Sequence, residues 1–195
     1  MSRAGFGALV AVVVAIAFGA TWFVSAQPGG HAPGPAAEAT LPAPLAPASA
    51  GQMQCYQPDA SRLTCRALVT YAKGANGEIE DTELDLVSAS PVVVMRTVFP
   101  VTIKAGQVCD AMPRRVFESA DFTVDGAPAS ADQSARLRRT MLKALQRYLG
   151  HEECIAYISE DSSSLATATI DGVPMPPVNQ KVIWVSQGDG YSVDP

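Results

Sequence analysis

The chain has 195 residues, with 14 Lys plus Arg against 19 Asp plus Glu and a net charge of −5. Arg3 and Glu38 are the only charged side chains before Gln52, so the 144 residues from Gln52 onward keep the same acidic balance. A mildly acidic body of single-domain size can bury its own core and has no bulk attraction for nucleic acid, which excludes that class of partner.

Met1-Ser2-Arg3 is a short basic start, and no charge follows from Ala4 to Ala26. An apolar run of this length exceeds the roughly 18 to 20 residues needed to cross a bilayer core. Arg3 on the cytoplasmic side sends the rest of the chain outside. Two readings of residues 1–26 fit. The favoured one is a membrane anchor through residues 4–26, since Trp22 and Phe23 suit a membrane–water interface. The other is a signal peptide cleaved after Ala26, at Val24-Ser25-Ala26. Both place the chain beyond Ala26 outside the cytoplasm, on the periplasmic side of a bacterial inner membrane or free in the periplasm.

Residues 27–51 hold six prolines among Ala and Gly. Such a segment buries too little apolar surface to offset its ordering entropy, which predicts a disordered linker. Extended at about 3.1 Å per residue, it would reach on the order of 75 Å. A single globular domain is then expected over 52–195.

That domain opens with a loop, Met53 to Thr64, carrying two of the four cysteines. Arg66 to Ala72 reads as a strand, and Gly74-Ala75-Asn76-Gly77 as a tight turn. Glu83 to Val87 alternates polar and apolar, as a half-buried strand does. Pro91 to Phe99 is apolar on both faces, which predicts a central strand. Pro100 suggests a bend before Val101 to Ile103. Arg114 to Ala120 reads as a short helix, and Phe122 to Val124 as a strand before the Asp125-Gly126 turn.

The clearest element is a long helix over 132–149. Ser130 and Gln133 form a capping box, and Leu137, Met141, Ala144, Leu145 and Tyr148 recur at helical spacing before Gly150 stops it. Cys154 to Ile158, Leu165 to Ile170 and Lys181 to Ser186 read as three further strands. The pattern predicts an α+β fold, in which an antiparallel sheet of roughly five to seven strands carries the long helix on one face and two disulfides brace it. An all-β sandwich with the helix inserted is the alternative.

Cys55, Cys65, Cys109 and Cys154 fall on the exported side, and an even count in an oxidising compartment predicts two disulfides. Chain spacing favours Cys55–Cys65, closing a short loop, and Cys109–Cys154, tying the sheet to the end of the helix. No two cysteines have the spacing of a metal knuckle or redox pair, and nothing in the pattern calls for a metal or cofactor.

No catalytic constellation stands out. His151, the one histidine of the domain, reads as a residue beside a helix end, and Ser162-Ser163-Ser164 as a loop without a nucleophile elbow. Glu83 and Asp85 lie on one face of a strand, and alternation with Leu84 and Leu86 makes that the solvent face. The remaining candidate is a basic stripe of Arg136, Arg139, Lys143 and Arg147 along the long helix. It would suit an acidic protein or an anionic envelope component. The expectation is therefore a non-enzymatic envelope domain that binds a partner or supports an assembly, with an envelope hydrolase as the alternative.

Overall fold

The computed structural model describes residues 40–74 and 76–195. The expected membrane segment at 1–26 and the first half of the expected linker lie outside these. No helix among the described residues is long and apolar enough to cross a membrane. The second half of the linker is part of the fold. Leu41 and Leu45 are buried, Leu45 completely, and a 3-10 turn at Ala46–Ala50 follows them. These two leucines supply apolar area that a count of prolines and alanines overlooks.

The strands are β1 (Gln52–Tyr56), β2 (Thr64–Cys65), β3 (Ala67–Lys73), β4 (Ile79–Ala89), β5 (Val92–Lys104), β6 (Gln107–Asp110), β7 (Asp121–Val124), β8 (Ala127–Pro128), β9 (Glu153–Glu160), β10 (Ser163–Ile170), β11 (Val173–Pro174), β12 (Gln180–Ser186) and β13 (Ser192–Val193). The helices are α1 (Arg114–Glu118) and α2 (Ala131–Leu145). β1, β3, β4, β5, β6, β9, β10 and β12 pair in chain order, each antiparallel to the next, and β12 pairs back with β1. The result is a closed eight-stranded up-and-down barrel. β7, β8 and β11 extend its wall, and β2 with β13 forms a separate parallel pair.

This architecture corrects the α+β expectation of an open sheet under one long helix. The decisive strand is β1, which the sequence presents as a loop. Gln-Met-Gln-Cys-Tyr lacks a β-branched run, yet it pairs with β3 on one side and β12 on the other and so closes the ring. Closure removes the exposed edges that an open sheet would leave. β5 runs unbroken through Pro100, which is exposed, and pairs with β4, β6 and β7 along its length.

The helix is real but shorter and differently placed. The Ser130–Gln133 capping box is formed in both directions, and α2 ends at Leu145, so 146–149 is a turn. Only Ser134 of α2 is fully buried. Leu137, Met141, Leu142 and Leu145 are half-buried against the core, and α2 contacts α1 and β7 rather than covering a sheet face. Arg138 fixes this position by donating two hydrogen bonds to the Ala120 carbonyl, at 2.8 and 2.9 Å.

The core inside the ring includes Val69, Met95, Phe99, Val101, Val108 and Val182, joined by Val116 and Phe117 of α1. Phe117 meets Phe99 edge to face at 5.6 Å, and burying one such ring contributes about 2 kcal/mol. A second cluster of Cys55, Cys65, Leu68 and Val185 lies on the outer wall, with Leu84 and Val193 packed on it. Two disulfides are formed, Cys55–Cys65 and Cys109–Cys154. The second joins directly opposed residues of β6 and β9, not sheet to helix end.

Candidate functional site in the barrel lumen

Strand alternation builds the site. Successive side chains of β4 point to opposite faces, and Asp81, Glu83 and Asp85 sit opposite Phe99, Thr97 and Met95 of β5. All three β5 partners are buried, so the three acids turn into the barrel. Across the lumen, β6 and β9 set Asp110 opposite Glu153 on the same inner face. Five carboxylates thus line one lumen.

This overturns the solvent-face reading of Glu83 and Asp85. The alternation is there, but its sense is inverted. Leu84 serves the outer cluster that the C-terminal strand β13 covers, so the apolar side of β4 is the outer one. The sequence signal was Asp81, Glu83 and Asp85 at period two, which is ambiguous until the second apolar layer is known.

The acids differ in their surroundings. Asp81 is buried and accepts a hydrogen bond from the Phe99 amide at 3.2 Å, and Asp110 accepts one from the Met112 amide at 2.6 Å. Glu83, Asp85 and Glu153 are only partly shielded and make neither a hydrogen bond nor an ion pair with any described residue. They are enclosed by the strands, yet still touch water-sized space. Desolvation raises all five, and the acids also raise one another. Asp81 is pushed up to about 8 by burial, then by Asp110, with the Phe99 amide opposing. Glu153 is pushed up to about 7 by burial, Asp110 and Asp85. Burial lifts Asp85 to about 6, with Arg66 opposing. Glu83 is raised well above the usual carboxylate range by burial and its neighbours, and Asp110 is raised by burial.

A second polar group shares the inner face with the apolar core. Gln54, 1 % exposed, accepts with its Oε1 from Tyr71 at 2.8 Å, Tyr157 at 3.0 Å and Tyr56 at 3.2 Å. The Tyr56 and Tyr157 hydroxyls also meet at 2.7 Å. Burial raises all three phenols, so they remain protonated donors. Thr97 completes the lining. It is 2 % exposed, faces inward opposite Glu83, and its Oγ1 is buried without a hydrogen-bond partner.

The other sequence candidates lie elsewhere. Arg136, Arg139, Lys143 and Arg147 are all exposed, with Arg147 beyond the end of α2 and its guanidinium 4.6 Å above the Tyr148 ring. His151 bonds Asp171 through Nδ1 at 2.6 Å, which with the Glu152 amide lowers Asp171. Ser162, Ser163 and Ser164 sit at the far end of β9 from His151, roughly 25 Å away along an eight-residue strand. The structure therefore does not bring them together. Cys109, Glu152 and Cys154 are mutually close, but the two sulfurs are joined to each other and offer no thiolate. A groove of about 860 Å³ lies on the outer wall between Val94, Phe122, Pro128 and Val193. Comparison of the chain with protein-family models, curated proteins and solved structures finds no match.

Proposed function

We propose that this chain is a non-enzymatic binding module held outside the cytoplasm, and that the barrel lumen takes its ligand. The observation that carries this reading is that Glu83, Asp85 and Glu153 turn into a closed barrel and meet no donor or cation at bonding distance among the described residues. An enclosed, unpaired carboxylate lowers stability. Val or Leu at these positions would extend the core, so the acids gain the fold nothing. Groups kept against stability mark function. An eight-stranded barrel has an interior of the right width to hold one small ligand. Two disulfides support an oxidising location. The separation of His151 from the serine run argues against the hydrolase alternative.

The test is thermal melting of the full chain carrying Glu83→Gln, Asp85→Asn and Glu153→Gln together. Without ligand at pH 8 the variant should melt several degrees above the parent. A lower melting temperature would make the acids structural and end this reading.

A second surface is favoured by one observation. Arg136, Arg139, Lys143 and Arg147 are exposed, and none forms an ion pair with a described residue. Fold stability gives no reason for this clustering. An acidic protein or anionic envelope component docking there would be released by salt. Replacing the four with Gln should leave melting unchanged and remove the salt-sensitive part of partner crosslinking in envelope extract. Identical crosslinks at low and moderate salt would leave the stripe a solvated face.

A further inference from the structure

We propose that the mouth of the barrel at the β9–β10 turn is a docking site for an uncharged sugar ring, free or at the end of a glycan. Tyr157 and Trp184 form its apolar platform, and the hydroxyls of Ser159, Ser162 and Ser164 are its hydrogen-bonding partners. The inference goes beyond the acid-lined part of the lumen. Glu153 stands at the opposite end of β9 from Ser159, roughly 20 Å away along the strand.

Strand alternation brings these residues together. Tyr157 turns into the barrel, where its hydroxyl bonds Gln54 and meets that of Tyr56. Ser159, two residues on, shares that inner face. Ser164 lies opposite Ser159 on β9 and opposite the buried Val182 on β12, so it belongs to the same face. Trp184 follows Val182 by two residues and lies opposite Gln54. The inner face, apolar at Ala166 and Val182, thus ends at this rim in hydroxyls and one indole. Pro44, next to the fully buried Leu45, lines the same concavity. Its volume of about 440 Å³ falls within the roughly 300 to 1,000 Å³ of small-ligand sites, which recur in the mouths of β-barrels.

The polar groups here are uncommitted. Ser163 donates to the Glu160 carbonyl at 3.1 Å, whereas the Ser159, Ser162 and Ser164 hydroxyls and the Trp184 indole N–H make no hydrogen bond with a described residue. A serine run at a turn needs only water, and by itself it is a loop. What sets this one apart is the company of two half-buried aromatic rings in one concavity. Tyr157 has its hydroxyl engaged by Gln54 and Tyr56, so it brings ring surface rather than a donor.

That pairing selects the ligand class. A pyranose carries apolar C–H faces and a rim of hydroxyls that both donate and accept. Aromatic rings pack on the first, and serine hydroxyls, also donors and acceptors, match the second. A wholly apolar ligand would strip water from the serines and give nothing back. Among the described residues that line the site there is no cation, and Asp161 is the one carboxylate, which disfavours an anion. A quaternary ammonium would suit the rings and Asp161. It has no N–H or O–H for the serines, and Asp161 is exposed to solvent.

The experiment is ligand-detected saturation-transfer NMR on the purified full chain at pH 7.5, with methyl β-glucoside, N-acetylglucosamine, cellobiose, glucuronate and choline as probes. Saturable binding of the three uncharged sugars is expected, and none of glucuronate. Tighter binding of cellobiose than of methyl β-glucoside would assign the site to a glycan end, and equal binding to a free sugar. Ser159→Ala, Ser162→Ala and Ser164→Ala together should weaken sugar binding about tenfold. Trp184→Leu, which keeps apolar bulk beside Tyr71 and removes the indole, should abolish it. Melting curves verify that both variants fold, and the serine variant leaves the aromatic packing untouched. Sugar binding unchanged in both variants would place the ligand elsewhere and overturn the inference. Choline binding without sugar binding would make the mouth a cation site and overturn it, and so would the absence of any binding. The neutralised-acid melting test reads the acids alone, so failure here leaves the acid-lined lumen to be decided separately.

Discussion

The inner face of the barrel holds two polar groups that obey opposite rules. Around Gln54, one carbonyl oxygen gathers three phenols, and every hydroxyl has a partner. Around Glu83, three acids and a threonine hydroxyl face one another without partners among the described residues. Gln54 and Thr97 are almost fully buried whereas Glu83, Asp85 and Glu153 are only partly shielded, so the two groups differ in partners and not simply in depth. A satisfied network fixes side chains and adds specificity to the core. An unsatisfied one lowers stability and has to be explained by what it takes in.

The largest effect should come from breaking the satisfied half. Gln54→Leu conserves volume while removing the shared acceptor. Tyr56 and Tyr157 keep each other, but Tyr71 is left with a buried donor and one long contact of 3.4 Å to Tyr157. A loss of about 3 kcal/mol is expected in denaturant unfolding, because a stranded buried donor forfeits its full desolvation penalty. A loss below about 1 kcal/mol would mean the layer does not hold the barrel, and the contrast would collapse.

The acid half should show itself through pH. Folded-state values of about 8 for Asp81, about 7 for Glu153 and about 6 for Asp85 stand above their ordinary 3.8, 4.5 and 3.8. Between pH 4 and 8 the folded chain therefore holds protons that the unfolded chain releases. Stability is greatest near pH 4 to 5 and falls as pH rises through 8. The groups facing these acids are Asp110, Glu83, Tyr71, the Phe99 amide and Arg66, and none but Arg66 and the amide opposes the shift. Asp59 and Asp171 are lowered by hydrogen bonds, so they act in the opposite sense below about pH 4. Melting temperature against pH should slope downward from 5 to 8, and the Glu83→Gln, Asp85→Asn, Glu153→Gln variant should flatten the slope. A parent curve that rises over this range would show the acids to be paired when folded.

The sequence made some of this legible. Capping box, hairpin turns and most strand cores can be read locally, because caps and turns are decided by a few adjacent residues. The barrel could not be read, because closure depends on Gln52–Tyr56 finding Gln180–Ser186 at the far end of the chain. The lumen was hidden for a related reason. Alternation in β4 says which residues share a face, and only the cover supplied by β13 and the Cys55–Cys65 cluster says which face is inner. Leu41 and Leu45 were masked by surrounding prolines. Of the four basic residues expected on one long helix, Arg136, Arg139 and Lys143 lie on α2 and Arg147 lies beyond its end, and all four are exposed.

The smallest effect gives the sharpest comparison, since it deletes one oxygen from each half. Tyr71→Phe removes a hydroxyl that bonds Gln54 at 2.8 Å. Thr97→Val removes one that bonds nothing described. Both changes keep the shape of the side chain, and both sites are more than nine-tenths shielded, Tyr71 at 9 % and Thr97 at 2 % exposure. A bonded hydroxyl contributes about 1 kcal/mol net, so Tyr71→Phe should lower stability by about that amount. An orphan hydroxyl holds only its desolvation penalty, so Thr97→Val should be neutral or stabilising in the ligand-free protein. The two variants should therefore fall on opposite sides of the parent in the same denaturant titration. If Thr97→Val instead loses as much stability as Tyr71→Phe without ligand, its hydroxyl is bonded in solution, and the two halves of the lumen obey the same rule.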